Sequence, residues 1–180
     1  SHSKYSLTDP EYYTKGFSSG FDWHSFKFAA LATAPAIILH ELGHKFVAMA
    51  FGMIASFKAA YFWLGLGTVL KLVGSSFIFF VPAYVSWGCP TNSLAAYTAC
   101  KSLIASSPWI GSLIAFAGPA MNLIIWLAVS GLIKYNKVPK KYMALAMITK
   151  SVNKFLFFFN LIPIPPFDGF HVFSRLFASF

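Results

Sequence analysis

The sequence predicts an all-α polytopic membrane protein with three to four transmembrane helices, and three observations predict it. Of its 180 residues, 57% are hydrophobic and 11% are charged, whereas soluble domains carry roughly 25% charged residues. Mean hydropathy is +0.64, and the 19% aromatic share, with 21 Phe, suits lipid-facing surfaces and interfacial belts. The carboxylates are also confined. Beyond Asp9, Glu11 and Asp22, the chain has only Glu41 and Asp168. An ionisable residue at membrane depth is expensive and marks a functional candidate.

The net charge of +9 does not indicate a nucleic-acid groove. The basic residues are mostly single lysines between apolar runs, plus one group in Lys134–Lys141. Lysines snorkelling to a membrane surface account for that pattern. The expected partner is therefore a lipid bilayer and not nucleic acid. Oligomeric state is not indicated.

Residues 1–25 read as a polar, interfacial lead-in, and 26–180 as one membrane-embedded core. The Ser-His-Ser start, lacking Met, reads as a trimmed or tag-derived terminus. Phe26–Met53 is helical by pattern. Pro35 should kink that helix or mark its ordered start, and Gly43 and Gly52 would let other backbone approach closely. Residues 57–88 are apolar but interrupted by Gly65, Gly67, Lys71, Gly74 and Pro82. They fit either one spanning helix, 67–87, or a strand pair or re-entrant hairpin at the interface. Gly88–Thr98 reads as a loop by its turn residues. In Leu103–Ile133 the breaks at Pro108 and Gly118-Pro119 predict a continuous helix from Pro119, where proline is tolerated in a first turn. Tyr142–Ile162 is another span. A proline-rich break at Pro163–Pro166 precedes a short amphipathic helix, Phe167–Phe180. Cys89 and Cys100 could pair or stay free.

The chemistry lies in His40-Glu41-Leu42-Gly43-His44. Helix positions four apart share one face, about 6 Å apart along the axis. Two imidazoles so placed can hold one Zn²⁺, and Glu41 can act as general base on a water that the metal activates. Catalytic zinc usually takes a third protein ligand. Val47 and Ala50 occupy the metzincin positions for glycine and histidine, and no glutamate follows Glu41. The candidates are then Asp168, His171, His24, His2, Cys89 and Cys100. Asp168 is the best placed, since Pro163, Pro165, Pro166 and Gly169 fix an irregular backbone around it at the end of an apolar helix.

With these residues in view, the chain resembles the site-2 protease family of intramembrane zinc metalloproteases. That family pairs H-E-x-x-H with a later N-x-x-P-x-x-P-x-D-G segment, here Asn160 to Gly169. A G-P-x-x-N element, Gly118 to Asn122, lies between them in the same order. The resemblance covers roughly residues 26–175. It implies that His40, His44 and Asp168 ligate one Zn²⁺, that Glu41 is base and then acid, and that Asn122 helps position substrate or the developing oxyanion. Three features depart from the family pattern. Phe170 stands where a second glycine is common, the usual preceding helix is missing, and the chain stops soon after the motif, as a catalytic core would.

The implied activity is hydrolysis of peptide bonds in or near transmembrane segments of membrane-protein substrates, by an integral, multi-pass membrane protein. A strand within 57–88 could hold an unwound substrate by edge pairing. The alternatives are a membrane zinc endopeptidase acting on soluble or lipidated peptides, and a metal transporter or sensor. The lysine loop 134–141 points to the cytosol by the positive-inside rule, opposite to the family's usual topology.

Overall fold

The computed structural model describes residues 23–61, 65, 69 and 83–180. It is mostly helical. Its elements are α1 (Trp23–Ala50), β1 (Ile54–Ala59), β2 (Ala83–Gly88), α2 (Leu94–Ser106), α3 (Trp109–Lys134), a 3₁₀ turn (Lys140–Tyr142), α4 (Met143–Asn160) and α5 (Asp168–Phe177). Helix α3 is the central post, packed against α1, α4 and α5.

α1 runs unbroken through Pro35, so the proline neither starts nor ends it. The helix begins three residues before the expected Phe26. It closes in a Schellman motif, with the Met53 N–H on the Ala48 carbonyl (3.1 Å) and the Gly52 N–H on that of Met49 (2.9 Å). Gly52 has φ +75°, a left-handed conformation that glycine adopts without strain. Nothing lies within 4 Å of where its Cβ would be, so it serves the turn and not the close approach expected of it. Gly43 does serve one. A Cβ there would fall 2.6 Å from the Ala117 carbonyl oxygen and 2.7 Å from Met121 Cγ on α3.

β1 and β2 pair antiparallel, with Phe57 opposite Val85. The strand-pair option for 57–88 is thus realised at its outer edges, and a helix reaching 87 is excluded by β2. The expected loop from Gly88 ends sooner. Ser93 caps α2, its Oγ accepting from the Ala96 N–H at 3.5 Å. A disulfide joins Cys89 to Cys100, deciding the question the sequence left open. It lies beside a buried cluster of Ala48, Met53, Ile110 and Ile114, where the ends of α1 and α3 meet.

The expected break at Gly118-Pro119 is absent. α3 starts at Trp109 and passes through Pro119 to Lys134. Proline removes one backbone donor, and neighbouring helices allow that in an apolar bundle. With a mean hydropathy of 1.9 over its best window, α3 is the one described helix long and apolar enough to cross a membrane.

Large apolar side chains are exposed on the helices, and several polar ones are buried beside the small apolar core. Leu31, Ile38 and Phe46 of α1, Ile124 and Leu127 of α3, and Phe155 and Phe158 of α4 are exposed, while His40, His44, Asn122 and Asn153 are buried.

Gly43→Ala should lower stability by about 1–3 kcal/mol through overpacking at the α1–α3 contact. Gly131→Ala, in open space within α3, should be neutral or stabilising by roughly 0.5–1 kcal/mol. Thermal melting of the two variants in detergent checks the contrast.

Candidate metal centre

Helices α1 and α3 meet through two stripes, each with a step of four residues. On α1 the stripe is Ala36, His40, His44; on α3, in reverse order, it is Asn122, Gly118, Ile114. His44 Nδ1 lies 2.7 Å from the Ile114 carbonyl oxygen, an acceptor only, so Nδ1 carries the proton. A Cβ on Gly118 would collide with the His44 ring and lie 2.7 Å from His40 Nε2. Glycine is required there because both imidazoles, set edge to face at 81°, crowd against the backbone.

His40 is fixed by a longer chain of bonds. Its Nδ1 lies 2.6 Å from Asn122 Oδ1. Asn122 Nδ2 donates to the Ala36 carbonyl (3.3 Å) and to Asn153 Oδ1 (2.9 Å). Asn153 Nδ2 in turn donates to the Thr149 carbonyl (2.8 Å). The two backbone carbonyls accept only, which orients both amides and leaves Asn122 Oδ1 as the acceptor for His40 Nδ1–H.

Both Nε2 atoms therefore present lone pairs. They lie 3.1 Å apart, and Asp168 Oδ2 is 3.0 Å from His40 Nε2 and 3.4 Å from His44 Nε2. A tetrahedral Zn²⁺ with ligands at roughly 2.0–2.1 Å sets its donor atoms about 3.3 Å apart. Two lone pairs and a carboxylate at that spacing repel unless a cation lies between them, so the donor set fits zinc.

Asp168 opens α5 after the Pro163–Pro166 break. Ser112 Oγ on α3 donates to the Val172 carbonyl (2.8 Å) and pins the helix. Gly169 packs on the Leu161 carbonyl, where a Cβ would not fit. Glu41 sits one residue from His40, its Oε2 accepting the Val85 N–H of β2 at 2.8 Å. Lys45, four residues on, lies over the Phe57 ring at 5.0 Å. Glu41 has no ion pair among the described residues.

His40, Glu41, His44 and Asp168 share a cavity of about 550 Å³ whose walls include Val85, Trp87, Asn160, His171 and Arg175. Asn122 is not in those walls. It is fully buried with its amide engaged on every side, so the expected contact with substrate or oxyanion is corrected to a place behind His40, as a positioning residue. Among the other third-ligand candidates, Cys89 and Cys100 are joined to each other, and His171 lines the cavity outside the three-donor cluster. His2 and the side chain of His24 lie outside the described residues. Asn160 folds back onto the Leu156 carbonyl (3.0 Å). The sequence pattern gives no role to Asn153, whose signal is an amide set in the largely apolar helix α4.

The model of peptidase family M50 matches residues 28–139. The chain belongs to that family. It is the site-2 protease family that the motifs resemble. The match spans His40–His44 and Gly118–Asn122 and stops before Asp168, whose place in this M50 chain comes from geometry. A protein of Methanocaldococcus jannaschii, provisionally named a zinc metalloprotease, is 32% identical over 145 residues, covering 80% of this chain and 68% of its own. A second, of Synechocystis and similarly named, is 24% identical over 159 residues, covering 88% of this chain and 34% of its own. This chain thus spans about a third of the Synechocystis protein. No solved structure matches significantly.

Asn122→Leu should weaken zinc binding roughly 10–100-fold by releasing the His40 ring, and Asp168→Asn should weaken it by removing a charged ligand. Zinc competition against a chromophoric chelator measures both.

Proposed function

We propose that this chain is the membrane-embedded catalytic core of a zinc endopeptidase that cuts peptide bonds in or near transmembrane segments of membrane-protein substrates. The observation that carries the proposal is the convergence of His40 Nε2, His44 Nε2 and Asp168 Oδ2 beside Glu41, inside a molecule whose outer surface is apolar. Large exposed apolar faces mark contact with lipid or partners, and they support a multi-pass arrangement of three to four spans with α3 as one of them.

His40, His44 and Asp168 would hold the Zn²⁺, which when bound would supply Lewis acidity for activating a water and polarising a peptide carbonyl. The protein groups do the proton work. Glu41 is held through one oxygen by the Val85 N–H, leaving the other free to take the proton of the attacking water. It returns that proton to the departing amine nitrogen. Asn122 and Asn153 keep His40 in its Nδ1–H form throughout.

A helical substrate hides its carbonyls in hydrogen bonds and must unwind locally. The Val85 N–H points away from β1, and the alternation of an antiparallel ladder turns the backbone groups of Ala83 and Trp87 the same way. That outward edge of β2 beside Glu41 is where an unwound segment would pair. A transport path would need further polar clusters through the helices, and the described residues hold one group of metal-ligating side chains.

Glu41→Gln should retain zinc and lose cleavage of a transmembrane-helix substrate by roughly 10²–10⁴-fold. Metal analysis and gel-based cleavage of the reconstituted chain test this together. Undiminished cutting by the variant removes Glu41 as base, and a parent that binds no zinc removes the metal site.

A further inference from the structure

One face of α5 carries Asp168, His171 and Arg175, three and four residues apart, and all three line the cavity. Arg175 is the chain's single arginine. It is held from two sides. Its guanidinium lies over the Trp87 ring on β2, 5.1 Å from the centroid, a cation–π contact that restrains the group. Its stem crosses α3 at Gly111, where an added Cβ would fall 2.5 Å from Cδ and 2.6 Å from Nη1.

This group has no counter-ion among the described residues. Their only side-chain carboxylates are Glu41, tied to Val85, and Asp168, tied to the histidines. A half-buried guanidinium with five donors, stacked in a cavity wall and unpaired, is a receptor for an anion. We infer that Arg175 on Trp87 forms a subsite of the substrate cavity that takes a carboxylate of the peptide being cut. The inference rests on the protease reading above and names a preference within it.

The spacing says where the carboxylate belongs. Seven residues of helix separate Asp168 from Arg175, a rise of about 10.5 Å. Along β2, Val85 at Glu41 and Trp87 at Arg175 are two residues apart, roughly 7 Å. An extended peptide covers about 3.3 Å per residue, so the carboxylate sits two or three residues from the attacked bond.

The test uses the zinc-loaded full chain in lipid nanodiscs and fluorescent peptides from one transmembrane substrate. A single Asp or Asn is stepped through the positions around the cut, with amidated C-termini, and a parallel set ends in a free carboxylate. Binding is read by anisotropy on Glu41→Gln, and cleavage on the parent. At one position, two or three residues from the cut, Asp should bind about ten-fold more tightly than Asn. Adding Arg175→Gln should bring that ratio to about one, and Arg175→Lys, which keeps the stem over Gly111 and the charge, should retain part of it. The free-terminus set tells a side-chain carboxylate from a chain end, and dependence on Arg175 in either supports the subsite. Ratios unchanged by Arg175→Gln at every position overturn it. So does an effect of Arg175→Gln confined to the phosphatidylglycerol content of the discs, which assigns the arginine to a lipid headgroup. An Arg175-dependent preference without cleavage by the parent refutes the protease reading and leaves the subsite standing; cleavage without the preference does the reverse.

Discussion

His40 Nε2, His44 Nε2 and Asp168 Oδ2 converge at 3.0 to 3.4 Å. Holding three donor atoms at that spacing is the constraint on which the rest of the structure depends. Each ring is held from behind by a hydrogen bond at Nδ1 that aims its Nε2 at the other donors. For His44 the holder is a backbone carbonyl, and no substitution of the Ile114 side chain can remove it. For His40 it is a side-chain amide, itself oriented by a second amide on another helix. The His40 ring thus depends on α1, α3 and α4 packing in one register, and the candidate metal site reports on all three helices.

The step of four residues on both α1 and α3 explains why the motif needs its glycines. Antiparallel helices that meet along i, i+4 stripes can bring imidazoles against a backbone only where the facing residue has no side chain. Gly118 is that residue, and Gly43 is its counterpart where the α3 backbone approaches α1. An alanine at either point forces the helices apart, and donor atoms spaced for one ion do not tolerate shifts of an ångström.

Much of the centre was legible in the sequence because its pattern is local. His40 and His44 announce a shared face by spacing alone, Glu41 adjoins them, and Asp168 stands out as the only later carboxylate. What was not legible depends on contacts between distant elements. Asn153 looks like any polar residue in an apolar helix until α4 is placed against Asn122. Pro119 reads as a helix start because proline favours a first turn, yet packing on α1, α4 and α5 carries α3 through it. The strands at 54–59 and 83–88 carry weak signals, since short apolar segments suit helix and strand equally. Arg175 was invisible as a site residue because its meaning comes from Trp87 and Gly111, on two other elements.

Charge balance gives the arrangement its logic. In surroundings this apolar an uncompensated charge is costly. Two neutral imidazoles, the carboxylates of Asp168 and Glu41, and one divalent cation sum to zero. A second carboxylate ligand, as in zinc sites that use glutamate, would leave a net negative charge once Glu41 is counted, and a third histidine in place of Asp168 would leave a positive one. Two histidines and one aspartate beside Glu41 are therefore the set of charges that one divalent cation would balance. Arg175, two helical turns from Asp168 on the cavity wall, is left without a side-chain carboxylate partner among the described residues.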